Sequence, residues 1–173
     1  LYYFQMFPPD LPTTPDPRPA MNTTFWDPSW QKLLSRTDWT AQATWFNWQC
    51  HWTKINHQAG DGNQFEFYRK GEWLTKERSG YTNDNIGTTS EFHNTLALKN
   101  DVPPSMQWYE GPISERGGQW KEGLNAGDPV ALKSFGNDYT YATGISTPLY
   151  NRYSGASDIE HASRSIFWLK PDH

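Results

Sequence analysis

Polar and apolar side chains alternate over short stretches of this chain, and that pattern predicts β-strands. Residues 64–67 alternate with the period of two that a half-buried strand shows. A turn over residues 69–72 leads into a second apolar stretch at residues 73–75, so we expect a β-hairpin here. Residues 43–48 are rich in the aromatic side chains that strands favour and predict a further strand.

Three later segments carry similar signals, at residues 93–99, 138–143 and 164–169. The intervening residues 101–128 contain paired prolines and paired glycines and are expected to form loops. Several short strands separated by turns are typical of an antiparallel β-sandwich. We therefore expect an all-β fold over residues 31–173, truncated at the C-terminus because the chain ends on a strand and its following turn.

The first 30 residues differ from the rest in composition, because they hold more than half of the 13 prolines. Proline fixes the backbone torsion φ and removes a hydrogen-bond donor, which disfavours a regular helix and favours extended chain. We expect residues 1–30 to form an extended linker or arm outside the sandwich.

Composition adds four constraints. Aromatic residues make up 16% of the chain, including 10 Trp, so the core is expected to be aromatic. A formal net charge of -4 with scattered Lys and Arg argues against a nucleic-acid partner. No apolar run approaches the ~20 residues that span a bilayer, so no membrane partner is expected. The single cysteine, Cys50, lies in an aromatic stretch and is interpreted as a buried residue in preference to a nucleophile.

Four segments together resemble a known family. They are residues 36–46, residues 57–74 with a histidine loop and a Lys-Gly turn, the His-Asn-Thr sequence at residues 93–95, and residues 164–172. In this order they resemble the C-terminal sandwich domain of the heparinase II/III-like polysaccharide lyases. The resemblance implies a super-sandwich preceded by an (α/α) toroid, which is missing from this chain. It also implies an acidic, uronate-containing polysaccharide as substrate, and a secreted or periplasmic location.

The chemistry implied by the resemblance is β-elimination, in which a base removes the proton α to a uronate carboxylate. His57 matches a catalytic histidine on the sandwich side of the cleft, and an imidazole titrates near working pH. The tyrosine partner belongs to the missing toroid, so the fragment alone is expected to be inactive.

Some family members bind a structural zinc, and the matching positions here are Ala59, Lys76 and His93. One ligand of three cannot form a closed zinc site, so neither a metal nor another cofactor is predicted. The Lys76 ammonium is expected to take the cation's structural place by pairing with Asp61 or Glu77.

Arg78, Tyr81 and His93 are candidate substrate-binding residues, because guanidinium groups pair with carboxylates and aromatic faces stack on sugar rings. The alternatives are a solvated Arg78, a core Tyr81, and a His93 that satisfies a buried carbonyl. Two functions follow from the sequence: one wall of a polysaccharide lyase, or a non-catalytic carbohydrate-binding or structural module.

Overall fold

A computed structural model describes residues 12–52, 59–76, 90–97, 119, 130–150 and 159–170. Five strands in this region form one antiparallel sheet, in which neighbours in sequence are also neighbours in space. These strands are β1 (Thr24–Asp27), β2 (Lys32–Arg36), β3 (Trp45–Gln49), β4 (Gln64–Arg69) and β5 (Glu72–Thr75).

A second antiparallel sheet has three strands, again in chain order. They are β6 (Val130–Phe135), β7 (Tyr139–Ile145) and β8 (Ser163–Leu169). A one-turn helix, α1 (Thr147–Tyr150), follows β7, and short 3-10 turns occur at Arg18–Ala20 and Ser90–Phe92. Among the described residues, no helix is both long and apolar enough to span a membrane.

The two sheets pack face to face through aromatic side chains. Phe46 and Trp48 of β3 are buried on the inner face of the five-stranded sheet. The Phe46 ring lies 5.9 Å from the ring of Trp168, which comes from β8 in the opposite sheet. Polar groups also bridge the layers, because the Thr140 hydroxyl donates to Ser35 Oγ at 3.0 Å. The predicted all-β sandwich with an aromatic core is therefore confirmed.

The β4–β5 hairpin forms where the sequence predicts it. Lys70 and Gly71 at its tip both have positive φ, at 50° and 88°. This is the left-handed backbone that two-residue turns of type I′ require, and glycine adopts it without a steric penalty. The turn fixes the register in which β5 pairs with β4.

Two expectations differ from the structure. The predicted strand over residues 93–99 is wrong for residues 93–97, which form turns that follow a 3-10 turn. Their alternation reflects side chains that bond to neighbouring backbone, since Asn94 Nδ2 donates to the carbonyl of Phe65 at 3.1 Å. The first sheet also begins at Thr24, inside the proposed arm, because β1 pairs with β2.

Gly144 on β7 lies where the two sheets approach closely. An added Cβ would come within 2.7 Å of both Cys50 Cβ and Trp48 Cζ2. Both of these residues are fully buried in the close-packed core, so neither can move away to accommodate the added atom. The absence of a side chain at residue 144 therefore permits this close approach of the sheets.

We predict that Gly144→Ala lowers the free energy of unfolding by about 1–3 kcal/mol, because a methyl group overpacks the core. Urea denaturation followed by tryptophan fluorescence measures the change. Ser163→Ala serves as the control, since Ser163 is exposed on the neighbouring strand and its loss should change stability by less than about 0.5 kcal/mol. Equal midpoints for the two variants would contradict the close packing described.

Candidate functional site

The outer face of the five-stranded sheet carries three aromatic side chains that face away from the core. Trp45 on β3 pairs with Tyr68 on β4, and Tyr68 pairs with Trp73 on β5. The Trp45 and Tyr68 rings stack at a centroid distance of 5.4 Å with 21° between their planes. Trp73 meets both nearly at right angles, at 4.6 Å from Trp45 and 5.5 Å from Tyr68. We call these three residues the aromatic cluster.

Mutual contact holds the rings of the aromatic cluster in place while leaving surface open. Trp73 remains 41% exposed although it touches both neighbours. Aromatic side chains that are already fixed lose little conformational entropy when a ligand lands on them. The cluster is thus a preorganised apolar surface on a face that also carries polar groups.

Polar side chains occupy the next positions along the same strands. Asn47 Nδ2 donates to the carboxylate of Glu66 on the neighbouring strand. Two residues further along β3, Gln49 Nε2 donates to Asp61 Oδ2, just before β4, at 2.7 Å. Amide and carboxylate groups therefore line one side of the aromatic cluster.

A guanidinium group lies at the β2 side of the cluster, because Arg36 pairs with Trp45 across the ladder. Arg36 Cζ stands 4.3 Å from the ring centroid of Trp39, a cation–π distance. Its Nε donates to the carbonyl of Asp38. These contacts hold the charge at one end of the aromatic cluster. At the other end, Lys76 Nζ lies 5.6 Å from the Trp73 ring centroid.

A pocket of about 660 Å³ opens beside Trp45 and Arg36, and we call it the rim pocket. One wall is the chain that leads into β1, and another is the β2–β3 loop. The two walls are joined because Trp39 Nε1 donates to the carbonyl of Met21 at 3.1 Å. The residues that line it are Ala20, Met21, Asn22, Thr23, Thr24, Phe25, Leu34, Ser35, Arg36, Trp39, Trp45 and Phe46.

No three His, Cys, Asp or Glu side chains within the described ranges come close enough to hold a metal ion. What the face does offer is aromatic surface, hydrogen-bonding groups and a fixed positive charge around a pocket. That combination suits recognition of a ligand with both apolar faces and polar edges.

Of the four site residues expected from the sequence, only His93 lies within the described residues, and His57, Arg78 and Tyr81 do not. The His93 side chain is buried, and its Nδ1 lies 3.1 Å from Gln64 Oε1. It therefore braces the start of β4 and lies outside the aromatic cluster.

Lys76, which is expected to take the structural place of zinc, lies within the described residues. Ala59 and Lys76 are both described, and the Lys76 ammonium faces the Trp73 ring as given above. Glu77 lies outside the described residues, so its pairing with Lys76 stays a prediction.

The sequence patterns do not predict the aromatic cluster, because the many tryptophans are expected to lie in an aromatic core. A signal was present in the alternation of β3, where Trp45 shares its face with Asn47 and Gln49. Tyr68 likewise shares its face with Glu66. Aromatic side chains on the polar face of neighbouring strands point away from the core, and where they form a contiguous patch that patch is a candidate binding surface.

Comparison with known proteins adds no further assignment. No protein-family model matches the sequence, and no curated protein matches it significantly. The resemblance to heparinase II/III-like lyases therefore rests on the four sequence segments alone.

Cys50 is fully buried in the core, in agreement with its interpretation as a structural residue. Burial raises the pKa of its thiol to about 12, because the apolar surroundings disfavour the thiolate. A thiol that stays protonated at neutral pH is a poor nucleophile. Cys50 therefore takes no part in the chemistry of the outer face.

We predict that Cys50 resists a disulfide-exchange reagent in the folded protein at pH 8, reacting at least ~100-fold more slowly than in urea, because both access and thiolate formation require opening of the core. Absorbance of the released thiolate dye measures the rate.

The pKa of the Cys50 thiol is higher in the folded protein than in the unfolded chain. Its contribution to the free energy of unfolding is therefore complete below pH 9 and is lost as pH rises from 9 towards 12. Cys50→Ala is the control, because its free energy of unfolding should lack this loss between pH 9 and 12. Rapid labelling of Cys50 in the folded native protein would contradict the burial of the thiol.

Proposed function

We propose that this protein binds an acidic polysaccharide on the outer face of its five-stranded sheet. The observation that carries the proposal is the aromatic cluster, in which Trp73 is exposed and Trp45 and Tyr68 are half-buried beside polar groups of the same face. The C–H-rich faces of pyranose rings pack against aromatic rings, whereas sugar hydroxyls need donors and acceptors nearby. The outer face supplies both kinds of contact within one surface.

The polar neighbours of the cluster match the edges of a sugar ring. Asn47 and Glu66 form a hydrogen-bonded pair on the same face, and Gln49 and Asp61 form a second. Asn47 is buried and holds the half-buried Glu66 carboxylate in place, while Gln49 and Asp61 are both half-buried. Sugar hydroxyls would therefore meet Glu66, Gln49 and Asp61 in preset positions. Such preset polar contacts give orientation and specificity, while the aromatic surface supplies most of the contact area.

Arg36 favours an acidic ligand over a neutral one. Its guanidinium group is fixed against Trp39 beside the aromatic cluster, where it can pair with a uronate carboxylate. The Lys76 ammonium adds a second positive charge on the opposite side of the cluster. A polymer of charged sugars would therefore meet cations at both ends of the aromatic surface.

Elimination chemistry is a further part of this proposal that rests on the sequence resemblance. A parent lyase would combine this binding face with His57 and with a tyrosine from an (α/α) toroid to cleave the bound polymer. Because such polymers are extracellular, the same proposal implies a secreted or periplasmic protein. The binding function itself does not require turnover, and it holds for a non-catalytic module as well.

We predict that Trp73→Ala and Trp45→Ala each weaken binding of polygalacturonate by about tenfold, since each removes a ring on which a sugar face packs and a comparable contact, a nucleobase stacked on one aromatic ring, is worth ~1–3 kcal/mol. Isothermal titration calorimetry measures the affinity. Phe167→Ala is the matched control, because this ring is 62% exposed on the outer face of the other sheet. Equal losses in all three variants, or no loss in the two tryptophan variants, would contradict the proposed face.

We also predict that Arg36→Gln weakens binding of polygalacturonate about tenfold and leaves binding of its fully methyl-esterified form within about twofold, because only the free carboxylate forms a charge-assisted pair. Calorimetry on the two polymers, matched in length, measures the difference. An equal effect on both polymers would show that Arg36 acts through packing against Trp39 and does not read the acid group.

A further inference from the structure

We infer that the rim pocket receives the end of a polysaccharide chain, so that the protein recognises chain termini in preference to chain interiors. This inference rests on the proposed function and specifies which part of the polymer is bound. It follows from the way the binding surface stops at the β2 side of the sheet.

The aromatic cluster is compact and meets an obstruction on its β2 side. Its three ring centroids lie 4.6, 5.4 and 5.5 Å from one another, and Trp45 has Arg36 as its neighbour across the ladder. Trp39 is stacked on the Arg36 guanidinium, and both side chains line the rim pocket.

The obstruction is a continuous wall, since it joins two segments that are distant in sequence. Trp39 belongs to the β2–β3 loop, and its indole N–H donates to the carbonyl of Met21 before β1. Arg36 strengthens the same loop through its bonds to the carbonyls of Asp38 and Thr40. A polymer that lies on the aromatic cluster therefore cannot continue past this wall along the same line.

The rim pocket in front of the wall has the size and chemistry to hold a terminal unit. Its volume of about 660 Å³ falls within the range of small-ligand sites. Phe25 and Leu34 supply exposed apolar surface, at 59% and 38% exposure, on which a ring face can rest. Arg36 lies at the same pocket and can pair with the carboxylate of that unit.

A terminal sugar is linked on one side only, whereas an interior sugar is linked on both. A terminal unit can therefore fill the rim pocket while the rest of the chain extends over the aromatic cluster. An interior unit in the same place would drive its second linkage into Trp39 and Met21. The geometry thus favours the chain end by steric exclusion of the alternative.

Stoichiometry distinguishes the two modes directly. We would titrate the protein with size-fractionated galacturonate chains of several lengths and measure the bound proteins per chain by calorimetry and analytical ultracentrifugation. Recognition of an end predicts one protein per chain at every length. A number that grows in proportion to chain length would overturn the inference while leaving the proposed binding face intact.

Two variants test the wall itself. Trp39→Ala removes the obstruction and is expected to raise the number of bound proteins on long chains at least twofold. Trp39→Phe keeps a ring on Arg36 but loses the donor to Met21, so it tests the wall if the alanine variant does not fold. Trp73→Ala is the contrast, expected to weaken binding without changing the stoichiometry. An unchanged stoichiometry in both Trp39 variants would overturn the role of the wall, and no binding by the native protein at any length would refute the proposed function itself.

Discussion

The alternation of side chains along β3 is the constraint on which both the core and the proposed binding face depend. Phe46 and Trp48 point inward and pack between the sheets, whereas Trp45 and Asn47 point to the outer face. Because successive strand residues face opposite ways, a slip of one residue would exchange the two sets. The same register therefore buries Phe46 and Trp48 in the core and places the half-buried Trp45 on the outer face.

The register is secured by polar contacts at the start of β4. Asn63 precedes this strand with a φ of 67°, and its Nδ2 donates to the carbonyl of Gly144 in the other sheet at 3.0 Å. Close by, the buried Gln119 side chain accepts from the Gly62 N–H at 2.7 Å and donates to Tyr150 at 3.0 Å. Buried polar groups bonded in this way specify one arrangement of the chain. They hold β4 in position, and with it Tyr68 of the aromatic cluster.

Local patterns were sufficient to predict part of this architecture. The β4–β5 hairpin was predictable because its alternation and its Lys70-Gly71 turn are both local in sequence. Strand β2 was missed, since Leu33 and Leu34 are adjacent apolar residues on opposite faces and interrupt the alternation. The aromatic cluster could not be predicted as a unit, because Trp45 meets Tyr68 only through strand pairing. Strand pairing depends on the whole fold, which single-sequence patterns do not reveal.

The most direct test of the binding face is the response of the tryptophan indole N–H signals in a nuclear magnetic resonance titration with galacturonate oligosaccharides. The account predicts that the signals of Trp39, Trp45 and Trp73 shift progressively to saturation, while that of the fully buried Trp48 stays in place. Shifts absent from all three surface tryptophans, or confined to side chains of the three-stranded sheet, would contradict it.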